Sequence, residues 1–281
     1  MCCYEDVMFS QKTTDIHIPT GTFELASLRS TLTPFTIHDL ISASSRSPRK
    51  SSPGIDGIPY EILSLVFKHP GVAPLAVKVY NKALLQSVFP PSWLCTSTAL
   101  LPKKGDLTLL KNWRPISLIN TDAKIFTRLL NSRLISVFSH RISPCQMGFM
   151  PKRFIGEHGR LLHLVMTSTS IRKSSAVGLL LDKEKAYDRV HPTYLSQVMI
   201  RFGVPPPLVT TIIGLFFSTN ISININGFLT TSFVAQRGLR QEAFHSANCK
   251  TLVTSTTAPD PHRMTPALHL LLRYLLMPMM Y

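Results

Sequence analysis

The sequence predicts an α+β fold, because apolar residues at helical spacing and apolar residues in strand-like alternation both occur in its 281 residues. The helical pattern covers residues 73–88 and ends before Pro90 and Pro91. Residues 221–235 alternate about Asn226-Gly227, the dipeptide that favours a type I′ hairpin turn. A hydrophobic content of 44% is enough for a core, which excludes disorder along the whole chain.

Further elements follow from the same patterns. A second helix is predicted over 122–138, capped by Thr121. Its buried stripe is formed by Ile125, Leu129, Leu130 and Leu134, and a separate face carries Lys124 and Arg128. Residues 176–181 predict a buried strand that ends at Asp182, and helices are predicted over 192–202 and 207–217. Residues 42–54 predict a polar, basic linker or loop, and residues 1 to about 35, which show no clear periodicity, predict an irregular leader.

The net charge of +15 points to a polyanionic partner, with simple solubility as the alternative. Residues 99–160 hold eleven Lys/Arg and three acids, so over half of the excess charge lies there, as expected of a phosphate footprint. Five scattered cysteines exclude a zinc site of paired CxxC type and a disulfide framework. No signal peptide or membrane span is found, and we expect an intracellular protein, nuclear or cytoplasmic.

Three segments could carry chemistry. LLLDKEKAYDRV (179–190) delivers Asp182 to the end of a strand, where a carboxylate can bind Mg²⁺ or serve only as a turn or cap residue. LLPKKGD and the following NWRP place Lys103, Lys104 and Arg114 on either side of a Gly-Asp turn. Such a layout could hold a triphosphate from two strands or be a solvated basic hairpin. SPGIDGIPYEIL (52–63) is a glycine-rich turn before a helix, which alone is weak evidence for phosphate binding.

Together these segments resemble the reverse transcriptase domain of non-LTR (LINE-type) retrotransposons. The matching stretches occur in the family's order: PGIDGIPYE, LLPKKGD with NWRPISLINTDAKIF, QMGF (146–149), LLLDKEKAYDRV, and the hairpin ending in QRGLRQ (236–241). The resemblance implies a right-hand polymerase fold, of which the chain supplies fingers and a partial palm, incomplete at its C-terminal end. The implied division is an irregular leader (1–45), the reverse transcriptase domain (46–241) and a tail that does not match the family (242–281).

The resemblance also implies roles for individual residues. Asp182 corresponds to the first catalytic aspartate, which with the backbone carbonyl of Lys183 binds Mg²⁺ in a two-ion site. Tyr187 corresponds to the gate against ribose nucleotides, and Lys103 or Lys104 with Arg114 to the triphosphate contacts. Arg237, Gly238 and Gln241 would lie near the template and the nascent base pair. The implied partners are an RNA template, a DNA primer and dNTPs.

The chain departs from the family after Gln241, where Glu242 replaces a glycine and no Y-A-D-D box follows. One aspartate cannot hold two Mg²⁺ ions, so this copy is expected to be inactive. Alternatives are a catalytically dead nucleic-acid-binding remnant and an unrelated phosphoryl-transfer enzyme that uses Lys103, Lys104 and Asp182.

The tail suggests a cause for the missing box. The codons for LLMPMMY (275–281) can be read in a shifted frame that starts at the third base of each codon. In that frame Met277-Pro278 must encode Ala, Met279-Met280 must encode Asp and Met280-Tyr281 must encode Val. The other positions permit the sequence Tyr-Ala-Asp-Asp-Val. We hypothesise that the reading frame slipped near Gln241, by mutation or a misassigned intron. Coincidence is the alternative, because only three positions are forced; the nucleotide sequence decides between them.

Overall fold

A computed structural model of the chain describes residues 30–47, 51–139, 142, 145–148, 150–175, 177, 179–180, 190–239 and 252–253. Within these ranges the α-helices are α1 (Ile37–Ser45), α2 (Tyr60–Lys68), α3 (Ala73–Gln86), α4 (Thr121–Phe138), α5 (Gly156–Ile171), α6 (Pro192–Arg201) and α7 (Pro206–Phe216). The strands are β1 (Cys95–Pro102), β2 (Trp113–Leu118), β3 (Leu179–Leu180), β4 (Thr219–Ile225), β5 (Phe228–Leu229), β6 (Phe233–Ala235) and β7 (Leu252–Val253). Short 3-10 helices, Pro91–Leu94 and Leu110–Asn112, precede β1 and β2. The described part therefore combines helices with a sheet, as an α+β fold requires.

The main sheet has the order β2-β1-β4-β5, and β6 also pairs with β4. Strand β1 is antiparallel to β2 but parallel to β4, with Ala99 opposite Asn224 at the end of their shared register. Because parallel strands point the same way, the turns that follow β1 and β4 lie at the same end of the sheet. Strands β3 and β7 form a separate antiparallel pair.

An aromatic cluster joins the helices to the start of the sheet. The Trp93 ring lies 5.2 Å from that of Tyr80 and 5.1 Å from that of Phe126, centroid to centroid. Two hydrogen bonds then fix the beginning of α4: Trp93 Nε1 donates to the Asp122 carboxylate at 2.7 Å, and the Tyr80 hydroxyl donates to the Asp122 carbonyl at 2.8 Å. Since Trp93 lies in the 3-10 helix that directly precedes β1 and Asp122 closely follows β2, the cluster sets the base of the β1–β2 hairpin.

Most of the predicted elements are confirmed. The helix predicted over 73–88 ends two residues early, at Gln86, because Ser87 takes the left-handed conformation. The helices predicted over 192–202 and 207–217 are α6 and α7. Asn226 and Gly227 both have positive φ (51° and 90°), as a type I′ turn requires, and Ile225 pairs with Phe228 across it.

Three predictions, two near the N-terminus and one at the start of α4, are wrong in part or in whole. Part of the irregular leader predicted over 1–45, and of the linker predicted over 42–54, is helix α1, which starts with a capping box between Thr36 and Asp39 and buries Leu40. Thr121 is not the cap of α4, since Asn120 occupies that position. The Thr121 hydroxyl instead donates to the Ile58 carbonyl at 2.7 Å.

In the described ranges, no individual helix combines the length and apolar character needed to cross a membrane. The bent pair Tyr60–Lys68 and Ala73–Gln86, at 112°, meets the length and composition criteria only when taken together.

Candidate nucleic-acid site

The β1–β2 hairpin presents the predicted triphosphate contacts on two adjacent strands. Arg114 on β2 lies opposite Leu101 on β1, and the Lys103 amide donates to the Asn112 carbonyl at 2.7 Å, which continues the same register. Because side chains alternate along a strand, Lys103 falls on the face that carries Arg114. Lys103 and Lys104 are exposed, and nothing in the described part of the chain pairs with either ammonium group. The predicted placement of these cations about a Gly-Asp turn is confirmed.

The loop at the end of this hairpin is held by its own hydrogen bonds. The Asp106 carboxylate accepts from the Thr108 amide at 2.9 Å and from its hydroxyl at 2.7 Å, and these bonds lower the pKa of Asp106. The Trp113 indole donates to the Leu107 carbonyl at 2.8 Å, and Gly105 has a φ of 114° that favours glycine. The lysines are therefore displayed on an ordered loop, where a phosphate can meet them without a large entropic cost.

The glycine-rich turn packs against the segment that follows β2. A Cβ on Gly54 would lie 2.1 Å from Asn120 Oδ1 and 2.4 Å from the Asn120 amide nitrogen, so only glycine allows this approach. Asn120 Nδ2 also donates to the Ser92 carbonyl at 3.4 Å. This turn is a packing element that joins two of the sequence segments singled out above, which agrees with its weak signal for phosphate.

Several basic residues of the predicted phosphate footprint are structural, and that prediction is wrong for them. On α4, Lys124 and Arg128 are buried; Lys124 donates to the Ser52 carbonyl at 3.3 Å, and Arg128 donates to the Ala43 carbonyl at 3.1 Å and to the Ser47 hydroxyl. Arg133, on the same helix, donates to the Thr31 and Thr33 carbonyls, and its guanidinium lies 4.0 Å from the centre of the Phe35 ring. These cations bind the protein's own backbone.

Arg153 belongs to the same structural group. It donates to the Gln146 carbonyl at 2.7 Å and to the Ile142 carbonyl at 3.2 Å, and so closes the loop that contains QMGF. The exposed cations Lys103, Lys104, Lys111, Lys152 and Arg160 remain available to an external anion.

The structure joins the ends of two other motifs. The Gly238 amide of QRGLRQ donates to the Val190 carbonyl, the last residue of LLLDKEKAYDRV, at 3.0 Å. Val190 and Leu239 are buried beside this bond. The next residue, His191, caps α6 by accepting from the Thr193 amide, and burial, followed by the nearby Arg237 charge, lowers the pKa of its imidazole.

The remaining predicted site residues lie outside the described residues: Asp182, Lys183, Tyr187 and Gln241. The strand predicted over 176–181 is described only as β3, two residues before Asp182. Among the described residues no group of three or more His, Cys, Asp or Glu could hold a metal ion. The residues expected to bind Mg²⁺, Asp182 and Lys183, are not among them.

Sequence reasoning assigned no role to the β4–β5–β6 hairpin, although its side chains form an exposed apolar surface. Phe228 is 80% exposed at its turn, and Phe233 is 50% exposed farther along. The sequence already indicated this surface, because residues 219–235 alternate like a strand and contain two aromatic residues and no charged residue.

The described part of the chain is an α+β domain whose sheet carries an exposed cationic hairpin, and some of its helical cations, such as Lys124 and Arg128, are structural. The family model described as "Reverse transcriptase (RNA-dependent DNA polymerase)" matches residues 101–246, more than half of the chain. The chain belongs to the reverse transcriptase family, and its relatives are proteins of non-LTR retrotransposons.

Among those relatives, the transposon TX1 uncharacterized 149 kDa protein of Xenopus laevis is 34% identical over 209 residues, 74% of this chain and 16% of the relative. The RNA-directed DNA polymerase from mobile element jockey of Drosophila melanogaster is 26% identical over 70% of this chain and 22% of the relative. The Pol polyprotein from type-1 retrotransposable element R2 of Popillia japonica is 25% identical over 69% of this chain and 26% of the relative. The chain therefore spans about a quarter or less of the length of these relatives.

Proposed function

We propose that this domain is built for RNA-directed DNA synthesis, the template-directed addition of dNTPs to a DNA 3′ end. The observation that carries the proposal is the cationic β1–β2 hairpin within a chain of the reverse transcriptase family. Two exposed lysines on a preorganised loop, with Arg114 on the adjoining strand, suit the phosphates of an incoming nucleotide. In the polymerase hand the described sheet and helices would be fingers and part of the palm.

The other roles in this proposal come from the family resemblance. Asp182 and the Lys183 carbonyl would bind Mg²⁺, Tyr187 would exclude ribonucleotides, and Gln241 would lie against the template side of the nascent pair. The hydrogen bond between Val190 and Gly238 supports this grouping, because it holds the segment after Asp182 against the segment before Gln241.

We further propose that these 281 residues bind template and nucleotide but do not synthesise DNA by themselves. They contain one of the carboxylates of a two-metal site and no Y-A-D-D sequence. The frame-slip hypothesis supplies a cause, and the nucleotide sequence under residues 241–281 tests it: codons that cannot encode Tyr-Ala-Asp-Asp in the shifted frame contradict it.

The second candidate function is nucleic-acid binding without catalysis. The same exposed lysines favour it, because phosphate binding needs their charge and no metal. It differs from the first candidate only in what happens after the template and primer are bound.

Primer extension separates the two. The chain is incubated with a primed RNA template, dNTPs and Mg²⁺, beside a version in which the shifted frame is restored after Gln241. Synthesis by the restored chain that is lost on Asp182→Ala supports the polymerase. Salt-sensitive binding without synthesis in both versions supports the binding function and contradicts the polymerase proposal.

A further inference from the structure

The turn of the β4–β5 hairpin exposes an aromatic and aliphatic pair. Ile225 pairs with Phe228 across the two strands, so their side chains lie on one face of the sheet. Phe228 is 80% exposed and Ile225 is 51% exposed. Since residues 219–235 contain no charged residue, this surface, here called the aromatic tip, is apolar and neutral.

The sheet places the aromatic tip beside the cationic tip, the loop of residues 103–112. Strands β1 and β4 are parallel, with Ala99 opposite Asn224, so both turns leave the same end of the sheet. Strand β1 runs on to Pro102, whereas β4 ends at Ile225, and the cationic tip therefore extends farther than the aromatic tip.

A row of apolar side chains crosses the sheet between the two tips. Trp113 lies opposite Pro102, and alternation along the strands puts both on the face that carries Ile225 and Phe228. From β2 to β5 the row crosses three strand spacings, about 14 Å. Two exposed lysines of the cationic tip, Lys104 and Lys111, lie in the loop next to this row, whereas Lys103 falls on the opposite face with Arg114.

We propose that this face is a stacking platform for single-stranded RNA, a role that rests on the proposed function only in taking that strand to be the template. Aromatic side chains stack on bases of any sequence, and neighbouring cations hold the phosphates. Charge complementarity selects this occupant: the loop beside the row carries the exposed Lys104 and Lys111, while Asp106, the one acid of the cationic tip, accepts hydrogen bonds from Thr108. A duplex fits less well, because its bases are already stacked on one another.

Fluorescence anisotropy of the full chain with a labelled single-stranded RNA of about 20 nucleotides tests the platform. Phe228→Ala is expected to raise the Kd about fivefold or more, as loss of one stacked base predicts. Phe228→Trp keeps the π surface and retains affinity, whereas Phe228→Leu keeps only apolar area and binds as weakly as Phe228→Ala. Phe154→Ala is the matched control, since Phe154 is 68% exposed on another surface.

A second measurement uses intrinsic fluorescence. The chain has two tryptophans, of which Trp93 is fully buried and Trp113 lies in the proposed row. Single-stranded RNA is expected to quench Trp113 emission, and duplex RNA at the same concentration is expected to quench it far less. Because Phe228 is exposed, the unfolding transition of Phe228→Ala should match that of the unmodified chain.

These binding measurements can fail or succeed independently of the primer-extension test of the proposed function. RNA binding that depends on Phe228, without DNA synthesis, supports the platform even if the polymerase proposal fails. Unchanged affinity in Phe228→Ala overturns the platform, as does an equal loss in Phe154→Ala. Loss of self-association in Phe228→Ala, measured by sedimentation with RNA binding intact, also overturns it and assigns the face to a protein contact.

Discussion

Gly54 and Asn120 show how one residue's lack of a side chain shapes the fold. The Gly54 backbone lies against the Asn120 backbone and amide, and Thr121 next to Asn120 donates to the Ile58 carbonyl. The two contacts hold the glycine-rich turn on the first turn of α4. A side chain at Gly54 must push this turn away from α4.

Gly54→Ala should therefore lower the free energy of unfolding by about 1–3 kcal/mol, the usual effect of forcing atoms into a filled space. Urea denaturation measures the change. Gly159→Ala is the control, because a Cβ there meets nothing within 4 Å and alanine favours the helix. Equal stability of Gly54→Ala and the unmodified chain would contradict the close approach.

The buried carboxyl of Asp122 should make the stability of the fold depend on pH. Burial raises the pKa of its carboxyl, although hydrogen bonds from Trp93 and the Ala123 amide act in the opposite direction. A carboxyl with a raised pKa binds protons more tightly in the folded state, so its contribution to stability falls as pH rises from about 4 through the folded pKa.

Asp122→Asn removes this titration and keeps an acceptor for the Trp93 indole. We expect the unmodified chain to lose stability relative to Asp122→Asn as the pH rises from mildly acidic to neutral. Thermal or urea unfolding at several pH values measures the difference. A stability difference that stays constant over this range would show that Asp122 has no raised pKa.

Helix α4 acts as a clamp through its basic residues. Lys124, Arg128 and Arg133 bind carbonyls that lie 72 to 102 residues earlier in the chain, and these carbonyls belong to the segment around α1. The carbonyls gain a hydrogen bond from a charged donor, which is stronger than one from a neutral donor. These bonds attach residues 31–47 and Ser52 to the helix that follows the cationic hairpin.

Arg128→Met is expected to lower the free energy of unfolding by about 1.5–3 kcal/mol, because it leaves the Ala43 carbonyl and the Ser47 hydroxyl without their charged donor. Methionine fills similar space without the charge. Arg160→Met, on the exposed surface of α5, should change stability by about 0.5 kcal/mol or less. If the two variants unfold alike in urea, Arg128 is not a structural clamp.

At the scale of the whole molecule, the basic residues between 99 and 160 do not share one role, because some bind the backbone and others are exposed. Four of the eleven basic residues between 99 and 160 hold the backbone, and the cationic tip carries three exposed lysines. Net charge therefore overstates the surface that nucleic acid can contact. RNA affinity should depend on the tip and not on α4.

The salt dependence of RNA binding measures this division. Lys103→Ala combined with Lys104→Ala should reduce the slope of log K against log salt by about 1.4, since each phosphate on a single strand contributes about 0.7. Arg128→Met, measured where it is still folded, should leave the slope unchanged. A reduced slope in Arg128→Met would return Arg128 to the phosphate footprint.

Local elements could be predicted from the sequence, and partners distant in sequence could not. The hairpin at Asn226-Gly227 followed from two residues that tolerate positive φ, and α6 and α7 followed from prolines at their starts. The burial of Lys124 and Arg128 did not follow, because basic residues on a helix are usually solvated and their carbonyl partners come from another segment. Helix α1 was missed although its capping box, Thr36 to Asp39, is visible in the sequence.

The sequence by itself determined membership in the reverse transcriptase family, through motifs in a set order, and the turns whose φ angles suit particular residues. Only the tertiary structure decided which cations face outward and that the aromatic tip lies beside the cationic tip. The physical reason is the separation along the sequence of the residues that interact. A turn depends on the conformational preferences of adjacent residues. The pairing of β1 with β4 instead joins residues more than a hundred positions apart, and the stability of that pairing comes from the packing of the whole sheet.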